Sequence, residues 1–366
     1  MIKVLQVGAT NVLGGIEIYL YNYYNNIDRK KVKFDFVNMY DNICFEDEYL
    51  NNGSKIHKLP NYRIHPFKYI NSLKKILIRE KYDILHFNMN SSIFLYPLIA
   101  AKMANIPVII AHSHNASSDR GIIKKILHNI CKLFIPLFAN YYFACSNYAG
   151  KWFFSKKIMK GNSYYIINNA IDIDKFKFNN KKRKIMRKEL KIMDNEILIG
   201  HIGRFIKQKN HNFIIEVLKD LVLYDKNFKL LLVGVGNLKT MIEEKVKINK
   251  LENNVIFLGQ RGDVNKIYQA MDIFLLPSLY EGLPLVGIEA QIAGCKCFFS
   301  NKITKDVRIK DDTEFLKISN SKEWAEKIVD YVKKEKNREE SYCKEYDIRK
   351  SAEKLCRLYK SCMERK

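Results

Sequence analysis

Two carboxylates eight positions apart, Glu281 and Glu289, stand in the string P-S-L-Y-E-G-L-P-L-V-G-I-E-A-Q-I-A-G from Pro277 to Gly294. The apolar, alanine-bearing run after Gly282 predicts a buried helix with Pro284 at its first position, where a missing N–H costs nothing. Glu281 then falls in the loop at the helix mouth. Glu289 falls roughly one to two turns inside, on nearly the same face. Upstream, Ala270 to Leu276 is a short apolar run of the kind that becomes a buried parallel strand. Strand, tight loop and helix N-terminus together offer backbone N–H groups and a positive dipole end to a phosphate. Carboxylates beside an anion site suit a ligand that also carries hydroxyls. Nucleotide sugars carry both.

Further along the cation side of the argument, Leu198 to Gly203 reads as a strand, followed by Arg204 and then Lys209 near a helix start. Two such cations can neutralise a diphosphate, and a guanidinium can grip it with two hydrogen bonds. Without a metal, something must offset the charge that builds on a departing nucleotide. Near the N-terminus, the strand Met1 to Gly8 leads to Gly14-Gly15-Ile16-Glu17 and a helical pattern to about Asn26. This is not G-x-G-x-x-G, so the dinucleotide fingerprint fails. Paired glycines still permit close backbone approach by a ligand. The strand Val108 to Ala111 ends in His112-Ser113-His114-Asn115, where ligands of open α/β sheets gather.

Taken in order, these strings resemble the retaining glycosyltransferases of family 4, whose E-x7-E, G-G-x-E and G-R-x-x-x-x-K-[GN] signatures match Glu281–Glu289, Gly14–Glu17 and Gly203–Asn210. Ile166 to Phe176 is similar to the family's N-G-[IV]-D-x-x-x-F segment, with Ala170 in place of the usual glycine. Asn25 to Val37 looks like the subgroup that builds capsular and exopolysaccharides. The resemblance implies a GT-B fold: two Rossmann-like, doubly wound α/β domains facing a central cleft, with the C-terminal helix crossing back to the first. It implies a hexosyl transfer from a nucleotide sugar, taken as a UDP-sugar, with retention at the anomeric carbon. Arg204 and Lys209 would hold the diphosphate, and Glu289 would accept from the ribose hydroxyls. Glu281 with the backbone of Gly282 and Leu283 would position the donor sugar, and Gly15 would face the cleft. His114 would sit against the reacting sugar, with His112 the alternative. The implied acceptor is a lipid-linked sugar or oligosaccharide. No cofactor and no metal are expected: Asp172 and Asp174 match D-x-D, but in a context that belongs to the domain link. A nucleotide-sugar 2-epimerase of the same fold and a non-catalytic carbohydrate-binding protein are the rival functions. The first needs more acid/base groups around the sugar than one histidine cluster supplies. The second has no need of the cations and both carboxylates together.

The elements that must position these residues alternate along a chain of 366 residues, long enough for two domains. The expected division is 1–178 (acceptor-binding), 179–340 (nucleotide-sugar-binding) and 341–366 (the returning helix), with the basic stretch 179–188 as linker. Ser91 to Ala104 is expected to be a helix and Cys295 to Ser300 the last strand. The 47% hydrophobic content supports packed cores. The eight cysteines show no paired CxxC pattern, and Cys295 and Cys297, in an expected strand, read as reduced core residues. The N-terminus reads as a strand, not a signal peptide, and no apolar run is long enough to span a bilayer. A net charge of +24 suits phosphorylated substrates or an anionic membrane face. Nothing resembles a nucleic-acid motif, so no nucleic acid is expected. Between Gly121 and Phe138, Lys124, Lys125 and Lys132, with Arg120 beside them, are set among Ile, Leu and Phe. That face either packs on the sheet, leaving the lysines solvated, or lies on the membrane. The second reading places the enzyme in the cytoplasm, peripheral on the inner face of the membrane.

Overall fold

Two all-parallel sheets organise the chain. The computed structural model describes residues 1–115, 121–334, 338 and 343–365. They form two units, Met1–Ile171 with Lys344–Lys366 and Asp172–Cys343. In the first, β1 (Ile2–Val7), β2 (Val32–Asn38), β3 (Ile56–Lys58), β4 (Ile84–Met89), β5 (Val108–Ser113), β6 (Tyr141–Ala144) and β7 (Tyr164–Ile166) lie in the order β3-β2-β1-β4-β5-β6-β7. In the second, β8 (Ile197–Ile202), β9 (Phe228–Val233), β10 (Val255–Gly259), β11 (Ile273–Leu276), β12 (Lys296–Ser300) and β13 (Glu314–Leu316) lie in the order β10-β9-β8-β11-β12-β13. Both orders are doubly wound. The chain reverses direction across the sheet between β1 and β4 and again between β8 and β11, the places where such sheets bind ligands.

The strands are continuous apolar runs because helices cover both faces. Phe228, Leu230 and Leu232 of β9 pack with Phe298 of β12 and the fully buried Trp324 in one core. In the first unit Val4, Phe34, Phe36, Ile110 and Phe143 form a core closed by the C-terminal helix Ile348–Glu364. That helix buries Ile348, Ala352, Leu355, Tyr359 and Cys362, a stripe at helical spacing. It returns to the first unit as the family resemblance implies. Its expected start at Ser341 lies outside the described residues.

Other elements differ from expectation. Residues 179–188 are not an extended linker: Asn180–Glu189 is a helix whose N-cap, Asn179, accepts from the Lys182 N–H. Its charges line the exposed side while Met186 and Arg187 are buried. The helix expected from Ser91 begins only at Tyr96, with Pro97 in its first turn. Pro136 lies in the first turn of the short helix Ile135–Phe138. Beyond β12 the sheet gains β13, three residues too short to read from pattern.

Arg187 shows what fixes the start of the second unit. Its guanidinium donates to the carbonyls of Met193 and Glu196 (2.6 and 2.7 Å) and to Asp272 Oδ2 (3.2 Å). Asp272 also takes Arg183 at 2.6 Å and the Leu198 N–H at 2.8 Å, which ties the helix to β8 and to the approach of β11. Asp272→Ala leaves a buried cation without its carboxylate and should cost roughly 2–4 kcal/mol. Urea unfolding followed by Trp324 fluorescence checks it; a loss below about 1 kcal/mol, the scale of an exposed pair, would contradict this role.

Candidate active site

In the second unit the site is built from the loops that leave β8 and β11. Lys209 ends a single 3₁₀ turn, Lys207–Lys209. Its Nζ lies 2.6 Å from Glu281 Oε1, with both side chains largely buried. Gln208 Nε2 donates to the other oxygen, Oε2, at 3.2 Å and to the Tyr280 carbonyl at 2.9 Å. The Leu279 N–H donates to the Gln208 carbonyl at 2.9 Å, and Asn210 Nδ2 to that of Pro277 at 3.3 Å. Five hydrogen-bonded contacts therefore hold the two loops together, and the expected diphosphate cation and sugar carboxylate form one pair. The Arg204 side chain is exposed and makes no hydrogen bond or ion pair among the described residues. It stands where a loop must pass another: a side chain on Gly234, whose φ is +143°, would collide with the Gly203 carbonyl.

Gly282 and Leu283 are buried at the mouth of the helix Leu285–Ile292. Pro284 is the N-cap of that helix, not its first residue, and its extended backbone (ψ 105°) turns the chain into the helix. Glu289 lies inside the helix and is buried. Tyr268 Oη donates to its Oε2 at 2.9 Å. Burial pushes the Glu289 carboxyl up to about 7, against the pull of the tyrosine hydrogen bond. Tyr268 and Gln208, which hold the two glutamates, escaped the sequence reading. Tyr268 lies 21 residues from its partner, and no periodicity couples the two.

In the first unit, the loop from β1 reaches Gly14, the N-cap of the helix Gly15–Asn26. Glu17 Oε1 closes this loop by accepting from the Thr10 hydroxyl (2.7 Å) and N–H (3.2 Å). A Cβ on Gly15 would meet no atom within 4 Å, so the fold itself does not require glycine there. The same helix carries Tyr19, whose ring lies edge-on to His112 (5.1 Å) and His114 (4.7 Å) at the end of β5. Both histidines point to the same side of the sheet, with ring centroids 4.0 Å apart. His112 is fully buried; His114 is partly exposed and bonds Asn88 Oδ1 through Nε2 at 3.0 Å. Burial pushes His114 down to about 3, so its imidazole is neutral near pH 7. Asn88 and His86 were also missed, though His86-x-Asn88 on β4 repeats the two-residue spacing of His112-x-His114.

A cavity of about 460 Å³ opens elsewhere in this unit, lined by Asn11, Asn42, Cys44, Glu46, Asp47 and Glu48. It contains none of the expected site residues. Glu46 is already engaged there, accepting from the Ile43 N–H and Asn38. Asp172 and Asp174 pair with Lys175 (3.5 Å) and Lys177 (3.2 Å). Among the described residues no group of three or more His, Cys, Asp or Glu side chains could hold a metal ion.

The raised Glu289 carboxyl has a measurable consequence. Its folded value lies above its unfolded one, so its contribution to stability is complete below pH about 4.5 and is lost as pH rises through about 7. Relative to Glu289→Gln, which does not titrate, the wild type should lose on the order of 3 kcal/mol across that window and change little above it. Paired urea titrations at several pH values check this; a difference that does not vary with pH would contradict it.

The chain resembles known proteins along most of its length. The family signature described as Glycosyltransferase Family 4 matches residues 13–175, and that described as Glycosyl transferases group 1 matches residues 182–348. The putative glycosyltransferase EpsF of Bacillus subtilis is 30% identical over 83% of this chain and 80% of its own length. The capsular polysaccharide biosynthesis glycosyltransferase CapH of Staphylococcus aureus is 25% identical over 99% of both chains. An Escherichia coli enzyme named UDP-Gal:alpha-D-GlcNAc-diphosphoundecaprenol alpha-1,3-galactosyltransferase is 27% identical over 68% of this chain and 65% of its own. Among solved structures, Anabaena Alr3699/HepE in complex with UDP-glucose superimposes with a TM-score of 0.75 at 17% identity, covering 100% of this chain and 98% of that one. The fold is GT-B, and the chain belongs to the family 4 glycosyltransferases.

Proposed function

We propose that the protein transfers a hexosyl group from a UDP-sugar to a lipid-linked sugar or oligosaccharide, with retention, in the synthesis of a capsular or other surface polysaccharide. The observation that carries this reading is the meeting of the β8 and β11 loops, where Lys209, Glu281 and Gln208 interlock beside an Arg204 side chain that has no partner among the described residues. That geometry suits a diphosphate with a sugar attached: Arg204 takes the phosphate oxygens, and Lys209 moves part of its charge from Glu281 to the ligand. Glu281 and the Gly282–Leu283 backbone then position the sugar. Glu289, its Oε2 already held by Tyr268, receives the ribose hydroxyls. In the reaction the bond from the anomeric carbon to the diphosphate oxygen breaks and the acceptor oxygen bonds to the same face. The acceptor's proton passes to the departing diphosphate, whose charge Arg204 and Lys209 offset. No metal enters this scheme, so transfer should persist in EDTA. The name of the Escherichia coli relative, which specifies a UDP-sugar and a diphosphoundecaprenol acceptor, supports the donor and acceptor classes.

The acceptor class brings in the membrane. The helix Gly121–Cys131 buries only His128, which bonds Ser92 Oγ at 2.8 Å and stacks on Trp152. The apolar face does not pack on the sheet: Ile122, Ile123, Ile126, Leu133 and Leu137 are each more than half exposed. Lys124 and Lys125 stand among them, while Arg120 lies outside the described residues. No helix among the described residues is long and apolar enough to cross a membrane. An exposed apolar strip with lysines is suited to lie on an anionic bilayer, where each basic side chain contributes about 1 kcal/mol. This supports a position at the cytoplasmic face, beside a lipid-linked acceptor.

Incubation with labelled UDP-sugars tests the function directly. Transfer to an acceptor supports it; an altered free sugar nucleotide would mean epimerisation, and no reaction would leave a binding protein. By calorimetry, Arg204→Ala should weaken UDP binding by roughly 1.5–3 kcal/mol, the scale of a charged hydrogen bond; unchanged affinity would remove Arg204 from the site. In sedimentation with phosphatidylglycerol vesicles, wild type should bind at low salt and be released by moderate salt, and Lys124→Glu/Lys125→Glu should bind less. A wild type that ignores anionic vesicles at low salt would contradict the membrane assignment.

A further inference from the structure

Beneath His114 a continuous run of buried polar side chains crosses the first unit's sheet to the C-terminal helix, and the donors and acceptors along it can be assigned. Asn88 Nδ2 faces the Val7 carbonyl (3.2 Å) and Gln6 Oε1 (3.0 Å). A carbonyl only accepts, so this is the amide nitrogen and Asn88 Oδ1 faces His114. His114 therefore donates from Nε2 at 3.0 Å, and its Nδ1 keeps a lone pair. Gln6, having accepted through Oε1, donates through Nε2 to Tyr359 Oη at 3.3 Å. The tyrosine's one proton then goes to His86 Nδ1 at 2.6 Å. His86 must carry its proton on Nε2, which donates to His112 Nδ1 at 2.9 Å. This leaves His112 with an N–H at Nε2. His112 Nε2, His114 Nδ1 and Tyr19 Oη are all buried without a hydrogen-bond partner. The rings that carry them are in mutual contact. Burial holds His86 and His112 well below the usual histidine range, so neither carries a second proton near neutral pH.

Buried polar atoms are rarely left unpaired, and three on rings in mutual contact call for an explanation. An N–H, a lone pair and a phenol, gathered at the carboxyl end of β5, match a group that both accepts and donates. That group is a hydroxyl. We propose that Tyr359 is a positioning residue for the histidine cluster: through His86 it fixes the tautomer of His112, so that the His112 N–H and the bare nitrogen of His114, whose own tautomer Asn88 sets, together receive one sugar hydroxyl. The inference rests on the transferase reading above. It assigns the C-terminal helix a task beyond closing the core, because without the Tyr359 hydroxyl either nitrogen of His86 can hold the proton. His112 then loses its defined N–H.

Nitrogen-15 spectra of histidine-labelled protein read this out. In the wild type His86, His112 and His114 should each show the proton on Nε2. In Tyr359→Phe the signals of His86 and His112 should no longer report a single tautomer. Transfer kcat should fall roughly tenfold, as for one lost buried hydrogen bond, while donor KM changes less than twofold. Tyr141→Phe is the control: it removes a different buried bond to the same helix, from Tyr141 Oη to the Cys362 carbonyl at 3.1 Å. It should leave both the tautomers and kcat as they are. A wild-type His112 protonated on Nδ1 would overturn the proposal, as would a Tyr359→Phe enzyme with unchanged spectra and kcat. So would an equal loss of kcat in Tyr141→Phe, which would mean only a loosened helix. A wild type that transfers no sugar would instead defeat the transferase reading, and the spectra would still decide the hydrogen-bond chain.

Discussion

Parallel pairing imposes the constraint on which the rest depends. When every strand of a sheet runs the same way, all the loops that leave strand ends emerge on one edge, and helices cover everything else. Gly15 follows β1, His114 follows β5, Arg204 and Lys209 follow β8, and Glu281 follows β11. None lies in a loop that enters a strand. At the reversal in each sheet the neighbouring loops diverge, and between β8 and β11 the gap is bridged by side chains, Lys209 and Gln208 to Glu281.

The polar groups at the carboxyl ends of the two sheets, each taken by itself, fall into two kinds. Some have internal partners that hold them until a ligand competes: Glu281 has a lysine and an amide, and Glu289 has a phenol. Others, in the histidine cluster, are neutral and lack a partner for one atom each. Of the first kind, the buried Glu289 costs the fold stability as pH rises through about 7. The second costs it about 1–3 kcal/mol per unpaired group, a cost that a bound hydroxyl removes. Such unpaired groups are less stable empty than occupied, which favours the binding of a hydroxyl.

Much of the site was legible in the sequence because its signals are local. Glu281 and Glu289 are linked by helix geometry, and Arg204 and Lys209 by a single turn after a strand. Gly14-Gly15 needed only a loop before a helix. What stayed hidden depends on distance along the chain. Tyr268 under Glu289, and Tyr359 against His86, meet only after the sheets have formed; the second pair is separated by 273 residues. The direction of the Gly121–Cys131 apolar face was undecided for another reason: amphipathic spacing reports a stripe, not what covers it. The basic stretch before β8, expected as linker and start of the second domain, is a helix of the second unit, because solvated lysines are as compatible with a helix as with a linker.

We propose that the carboxyl-end loops of β8 and β11 hold the donor nucleotide. Hydrogen–deuterium exchange with and without saturating UDP tests it most directly. Residues 203–210 and 277–293 should gain protection, and the loops at the opposite edge, 225–227 and 271–272, should not change. Unaltered exchange in both carboxyl-end segments, with protection appearing at the opposite edge, would contradict it.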